Sequence, residues 1–423
     1  MSDAVRTRAL RAGHRLALIK GGAALFPALV QAIEQAREEV LLETYIFDFA
    51  RSVLPVAHAL EEAARRGVLV RVVVDGVGTG DVPPPWQARW RAAGVQWHVY
   101  NPARGWRLLL PKRWRRLHRK LCVVDSTVGF CGGVNLLDDY FDPNHGVLDQ
   151  PRFDFTIQVT GPLVGDMRDT MARLWARLQL AGERRVADAV QAVWDVARAG
   201  TDMGQVGDTD LVAGAAPSRR PAASSSDALQ GSRAALVLRD NVRFRRTIEG
   251  NYRLAIGLAR REILIANAYF IPGVKLQRAL LRAARRGVRI TLLLQGRYEY
   301  FMAYHASRAV YGVLLQAGIT IIEYEASFLH AKVAVMDAPG GSTATVGSSN
   351  LDPFSLLLAR EANVFVRDET FAQTLRTHLV GAIAEGRRVA AITHTRRSLA
   401  TRMLNWVAYA LMRCALFITG NRY

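Results

Sequence analysis

The sequence predicts an α/β protein built by duplication, with two domains that each hold a mixed, largely parallel sheet flanked by helices. Three observations lead there. At 423 residues the chain is too long for one ordinary core. Segments of its first half return in the second half in the same order. In both halves, short apolar runs alternate with helical patterns, as α/β units require.

The repeat opens with Ala32-Ile33, Ala36-Arg37, Glu39-Val40-Leu41-Leu42 and Phe47. These reappear as Ala255-Ile256, Ala259-Arg260, Glu262-Ile263-Leu264-Ile265 and Phe270, at a constant offset of 223. "EEVLLETYIF" and "REILIANAYF" thus read as equivalent buried strands. A helix ending at Arg-Arg-Gly follows in each half (63–68 and 283–288), and then the strands "VLVRVVVDG" and "VRITLLLQG". "AGVQWHVY" at 93–100 parallels "AGITIIEY" at 317–324. Residues 197–232 contain "GAAPSRRPAASSSDALQGS", a low-complexity stretch that reads as a linker or mobile loop.

Four segments result: a first domain at 1–196, the linker at 197–232, a second domain at 233–395, and a basic amphipathic C-terminal helix at 396–423. In that helix Ser398, Arg402, Asn405, Tyr409 and Arg413 line one narrow face, opposite a broad apolar one. The pattern suits a helix lying in a membrane interface, with packing on the protein core as the alternative.

Charge is the compositional outlier. The 56 Lys+Arg against 37 Asp+Glu give +19, which implies a polyanionic partner, either nucleic acid or an anionic membrane. Cys122, Cys131 and Cys414 are odd in number and form no CxxC pair, as expected of a reducing compartment rather than a disulfide or zinc framework. No signal-peptide hydrophobic region and no uncharged apolar run long enough to span a membrane are evident.

The chemistry lies in a motif that occurs once per half. His118, Lys120 and Asp125 give HxKxxxxD, and so do His330, Lys332 and Asp337. A small-residue turn ending in asparagine follows each, Gly132-Gly133-Val134-Asn135 and Gly347-Ser348-Ser349-Asn350. The chain has 5 lysines against 51 arginines, yet two of those five stand two residues after a histidine. Lysine is a compact point charge, suited to a tight phosphate pocket where the planar guanidinium is not. On a strand, residues i and i+2 share a face, so each histidine and its lysine should project together. Asp125 and Asp337 have the opposite parity, which suits anchoring. Each asparagine is expected to open a helix whose N–H groups face an anion. Two such sets around one phosphodiester supply a nucleophile, a proton donor and holders for the non-bridging oxygens. "DGVGTG" at 75–80 lacks the full dinucleotide-loop spacing and carries no such expectation.

Paired HxKxxxxD motifs followed by G-x-x-N resemble the phospholipase D superfamily. "ETYIF", "VLRDN", "ARREILIANAYFIPG", "AARRGVRI", "VGSSNLDPFSL" and "EANV" are similar to the B-type bacterial cardiolipin synthases. The resemblance implies one active site shared at the domain interface, and a phosphohistidine route with no metal and no cofactor. It places His118, Lys120, Asp125, His330, Lys332 and Asp337 in the catalytic motifs, with Asn135 and Asn350 on the phosphate. It also implies a carboxylate past each histidine that orients the ring: Asp154 after His118, and Glu361 after His330. His118 is the expected nucleophile and His330 the acid/base.

The implied reaction transfers a phosphatidyl group from one phosphatidylglycerol to another, giving cardiolipin and glycerol. A hydrolytic phospholipase D and a nuclease on the same scaffold are the rivals. Upstream of the first motif, "RGWRLLLPKRWRRLHRK" at 104–120 interleaves cations with tryptophan and leucine, which suits an anionic bilayer. The expected partners are phosphatidylglycerol and a membrane surface, with no nucleic acid. The expected place is the cytoplasmic face of the cell membrane, peripheral or in-plane. Oligomeric state is not legible.

Overall fold

A computed structural model describes residues 9–102, 115–198, 231–240, 244, 246–352, 359–390 and 399–418. The first half runs β1 (Arg11–Lys20), α1 (Gly21–Glu34), β2 (Glu39–Thr44), α2 (Leu54–Arg65), β3 (Leu69–Asp75), α3 (Pro84–Ala93) and β4 (Gln96–Tyr100). It continues with β5 (Arg116–Leu117), β6 (Lys120–Val124), β7 (Val128–Gly132), a small hairpin of β8 (Phe141–Asp142) and β9 (Gly146–Val147), β10 (Phe155–Thr160) and α4 (Leu163–Arg198).

The second half opens with β11 (Ser232–Arg239), α5 (Thr247–Leu258), β12 (Glu262–Asn267), α6 (Val274–Arg285), β13 (Arg289–Gln295), α7 (Phe301–Ala309), α8 (Tyr311–Gln316) and β14 (Thr320–Tyr324). There follow β15 (Lys332–Met336), β16 (Thr343–Gly347), β17 (Ala359–Arg367), α9 (Glu369–Glu385), β18 (Arg387–Arg388) and α10 (Leu399–Ile418). The expected linker at 197–232 lies mostly outside the described residues, and its first two residues belong to α4.

The strands form one path, β18-β14-β13-β12-β15-β16-β17-β11-β1-β10-β7-β6-β2-β3-β4, joined between the halves where β1 meets β11. The sheet is mixed, as read, but among the described strands parallel pairing is confined to β2–β3–β4, β12–β13–β14 and the short β5–β17 pair, with three isolated parallel bridges beside them. Helices cross over between those parallel strands and allow them to run alike. The other pairs are antiparallel. At β6–β7 the reason is local: Asp125 and Ser126 take φ of 48° and 55°, so the chain reverses in a tight turn. The sequence reading followed the helix-linked strands and so overestimated the parallel share.

Alternation along the strands divides the core. In β2, Val40 and Leu42 face outward onto α1, α2 and α3, while Leu41 faces inward. The inner faces of both halves share one cluster with Met167 of α4 and Leu375 of α9. A buried ion pair inside the first half, Arg119 with Glu43, has alanines (Ala331 and Ala266) at the repeat-equivalent positions. Complementary change at both partners is what a buried charge demands, because one left alone is strongly destabilising.

Asp125 and Asp337 require a correction, since neither touches the catalytic residues. Each ends the motif strand away from its histidine and binds backbone. Asp125 accepts from the N–H groups of Arg37, Glu38 and Glu39 at 2.8, 2.8 and 2.9 Å. Asp337 accepts from Arg261 and Glu262 at 2.9 and 2.8 Å. They fasten the motif strand to the start of its neighbour, the anchoring role that their parity suggested.

The C-terminal helix also differs from expectation. Of its polar stripe, the described side chains turn inward: Asn405 is buried, with its Oδ1 2.8 Å from His305 Nδ1 on α7, and Ala408 is buried beside it. Met403, Leu404, Trp406, Val407 and Leu411 are exposed instead. No described helix is long and apolar enough to cross a membrane.

Candidate active site

Two short backbone exchanges between the halves build the site. The His118 N–H, just past β5, donates to the Arg360 carbonyl at 3.0 Å. The next residue on that strand, Glu361, places its carboxylate 2.9 Å from His118 Nδ1. The second half mirrors this: the His330 N–H donates to the Phe153 carbonyl at 3.0 Å, and Asp154 lies 2.6 Å from His330 Nδ1. Each carboxylate therefore orients the histidine of the opposite half. The pairing expected within each half, Asp154 with His118 and Glu361 with His330, is overturned.

Glycines make the close approach possible. A Cβ on Gly132 would meet the Phe155 carbonyl at 2.5 Å, and one on Gly347 the Ala362 carbonyl at 2.5 Å. Both carbonyls sit on the strand that carries an orienting carboxylate, so a larger residue would push that strand away. Glu361 is fully buried and also accepts a hydrogen bond from the Ser348 hydroxyl, whereas Asp154 accepts the Phe155 N–H at 2.8 Å.

A carboxylate on Nδ1 holds the proton there and leaves Nε2 with its lone pair. Both histidines line a cavity of about 660 Å³, together with Asn135, Asn350, Tyr45, Arg152, Tyr269 and Glu299 among others. The Tyr45 ring meets His118 edge-on at 5.0 Å. The carboxamide oxygens of Asn135 and Asn350 are buried without a hydrogen-bond partner, a costly state that a ligand would relieve. No helix begins at Asn135, because the chain instead bridges at Leu136 to Phe47 and turns. Residues 353–358, after Asn350, lie outside the described residues.

Lys120 and Lys332 are buried beneath the histidines, and each Nζ donates to the carbonyl of its own motif histidine, Lys120 at 2.7 Å. Burial draws Lys120 down to about 7, against the pull of Glu361, and Lys332 down to about 8, against Asp154. Burial also lowers His118, opposed by Glu361. It lowers His330 further, with Lys332 and Lys120 adding to the effect. Asp154 is pushed up to about 7 by burial, against the pull of Lys332.

The loop at 75–80 contributes to positioning and shows no dinucleotide geometry. The Asp75 carboxylate accepts from the Leu117 N–H at 2.7 Å and from Val77 at 2.8 Å, fixing β5 just before His118. Sequence reasoning missed Tyr45, Arg152, Tyr269, Glu299 and Ser348. Only Ser348 carried a signal, its place inside the G-x-x-N turn. Most of the basic stretch at 104–120, including its tryptophans, lies outside the described residues.

The family model described as "Cardiolipin synthase, PLD-like domain" matches residues 29–148 and 252–381. Cardiolipin synthase B of Escherichia coli (strain K12) is 36% identical over 385 residues, 88% of this chain and 81% of that protein. Cardiolipin synthase A of Pseudomonas putida (strain W619) is 29% identical over 380 residues, covering 89% and 70%. The crystal structure of phosphatidylserine synthase from Haemophilus influenzae Rd KW20 superposes with a TM-score of 0.64 at 11% identity, covering 97% of this chain and 96% of that one. This last likeness is one of fold.

The lysine environment sets a pH signature. A bound phosphodiester anion favours the ammonium forms and raises both lysine pKa values. Values near 7 and 8 describe the enzyme before binding, so kcat/KM should fall as pH rises through that range. Charge on kcat should persist to higher pH, because kcat reports the complex. Initial rates on a short-chain phosphodiester lipid between about pH 6 and 10 check this; coincident alkaline limbs would show that the lysines do not sense the phosphate.

Proposed function

The chain belongs to the cardiolipin synthase family of phospholipase D-like proteins, and we propose that its crosswise histidine pairs carry out phosphatidyl transfer through a phosphohistidine. The enzyme is a phosphatidyltransferase, and the reaction joins two phosphatidylglycerol molecules into cardiolipin with release of glycerol. The observation that carries the proposed route is that two histidines, one from each half and each with a carboxylate at its Nδ1, line one cavity.

His118 Nε2 attacks phosphorus, and the bond to the glycerol oxygen breaks as His330 supplies its proton. The incoming anion raises the His330 pKa and draws onto its ring the proton that burial otherwise disfavours. The hydroxyl of a second phosphatidylglycerol then gives its proton to His330 Nε2 while its oxygen bonds phosphorus and the phosphorus–His118 bond breaks. Lys120, Lys332, Asn135 and Asn350 stabilise the non-bridging oxygens. Glu361 and Asp154 hold the tautomers and steady each imidazolium.

Substrate comes from a bilayer, and the exposed surface suits one. α10 exposes apolar side chains and packs on α7, whose first residue, Phe301, is exposed and follows Tyr300, itself exposed and on the cavity wall. Apolar side chains on the same face as the cavity would let a lipid enter headgroup first while its chains stay in the membrane. The net charge of +19 adds attraction to anionic lipid. The unpaired cysteines, with Cys414 exposed, suit a cytoplasmic face.

The trapping experiment uses His330→Ala with phosphatidylglycerol carrying an activated leaving group. Phosphatidyl attached to His118 should accumulate, read by peptide mass spectrometry. Lipid on another residue, or none in a folded protein with substrate bound, would contradict the assignment. For the membrane face, Leu404→Ser with Trp406→Ser should reduce flotation with phosphatidylglycerol vesicles, most clearly at high salt where the charge attraction is screened. Equal flotation of the variant and the unaltered protein would remove α10 from the interface.

A further inference from the structure

The two halves repeat, so each cavity position has a counterpart, and a departure from that correspondence marks a difference in task. Ile46 follows β2 as Tyr269 follows β12. The alignment is structural, because the N–H groups of Asp48 and Ile271 donate to the carbonyls of Leu136 and Leu351 at 2.7 and 2.9 Å. In the same way Thr79 follows β3 as Glu299 follows β13, with Gly76 and Gly296 donating to Tyr100 and Tyr324 at 2.9 Å each.

Ile46 and Tyr269 both line the cavity, but one is apolar and the other a phenol. Thr79 gives its hydroxyl to the Tyr45 carbonyl at 3.0 Å, a bond between the loops that follow β3 and β2. Glu299 instead lines the cavity and accepts the hydrogen bond of the Tyr269 hydroxyl. A phenol–carboxylate pair thus stands on one wall only. Asn267 of β12 lies opposite Lys332, and the Leu329 N–H donates to the Gln295 side chain of β13 at 2.9 Å, so the residues that follow these strands stand on the His330 side.

A carboxyl group in a cavity for an anion opposes the phosphate by like charge. Such a group is explained when the substrate also brings hydroxyl donors, for which a carboxylate and a phenol oxygen are strong partners. Resting on the phosphatidyl-transfer reading, we propose that Tyr269 and Glu299 form the polyol subsite that holds the glycerol headgroup on its way out and the acceptor headgroup on its way in. One glycerol hydroxyl faces His330 Nε2 and gives it the proton as its oxygen bonds phosphorus and the phosphorus–His118 bond breaks. The neighbouring hydroxyl bonds Glu299 and Tyr269. Water and simple alcohols lack that second hydroxyl, so the subsite favours a polyol acceptor. A site built to bond a hydroxyl discriminates strongly against an analogue without it.

A competition between acceptors tests this on the whole protein. Phosphatidylglycerol vesicles are supplied with equal concentrations of ¹³C-glycerol and 1-propanol, and the ¹³C-phosphatidylglycerol and phosphatidylpropanol formed are measured by mass spectrometry. Both acceptors intercept the same phosphatidyl-enzyme, so losses in its formation cancel in the ratio. The unaltered protein should favour glycerol, and Tyr269→Phe and Glu299→Ala should each lower the glycerol-to-propanol ratio by about tenfold or more. A ratio unmoved in both variants, including a proportional loss of both products, would overturn the subsite while leaving phosphatidyl transfer standing. An unaltered protein that forms neither product would overturn the transferase reading and this inference with it.

Discussion

Everything in the site depends on one reciprocal exchange. A strand from each half offers a backbone carbonyl and then a carboxylate, and the histidine of the other half takes both, through its N–H and its Nδ1. Neither motif histidine takes its carboxylate from its own half. The rest of the fold reads as what keeps the two strands in that exchange: the continuous sheet through β1 and β11, the shared inner core, the glycines at 132 and 347, and Asp75 behind β5. Removing one partner of a buried pair typically costs about 3–5 kcal/mol, so the exchange also ties activity to stability.

Burial then sets the electrostatics. Two lysines, two histidines and two carboxylates share one low-dielectric site, and none reaches water freely. Lys120 and Lys332 are drawn down and Asp154 is drawn up, so the site holds less charge than a formal count suggests. A phosphodiester is the missing charge, and its arrival favours the ammonium and imidazolium forms together. The asparagine oxygens at 135 and 350, buried without partners, can accept from a donor such as a substrate hydroxyl.

Much of this was legible in the sequence, and the limits have physical causes. The duplication, the motif residues and the α/β class follow from pattern and spacing, because the repeat obeys strand and helix periodicity, whereas the two orienting carboxylates come only from the family resemblance. The crosswise pairing does not follow. Spacing past each histidine suggests a neighbour in the same half, whereas the interface brings Glu361 to His118 across 243 positions of chain. The parity of Asp125 and Asp337 argued for anchoring, and the backbone N–H groups they hold fit that role better than chemistry. For α10 the amphipathic pattern is correct but its direction is not encoded locally. Asn405 meets His305 on α7, so this polar side chain turns inward while Met403, Trp406 and Val407 are exposed. Tyr269 and Glu299 stand out only once the halves are superposed and Ile46 and Thr79 are seen in their places.

The central claim is that each histidine answers to the carboxylate of the other half. Nitrogen-15 NMR of histidine-labelled protein, with resonances assigned through single histidine substitutions, addresses it directly. Glu361→Gln should move the Nδ1 resonance and the tautomer balance of His118 and leave those of His330 nearly in place, and Asp154→Asn should do the reverse. Movement of His330 in Glu361→Gln together with His118 in Asp154→Asn would contradict the account.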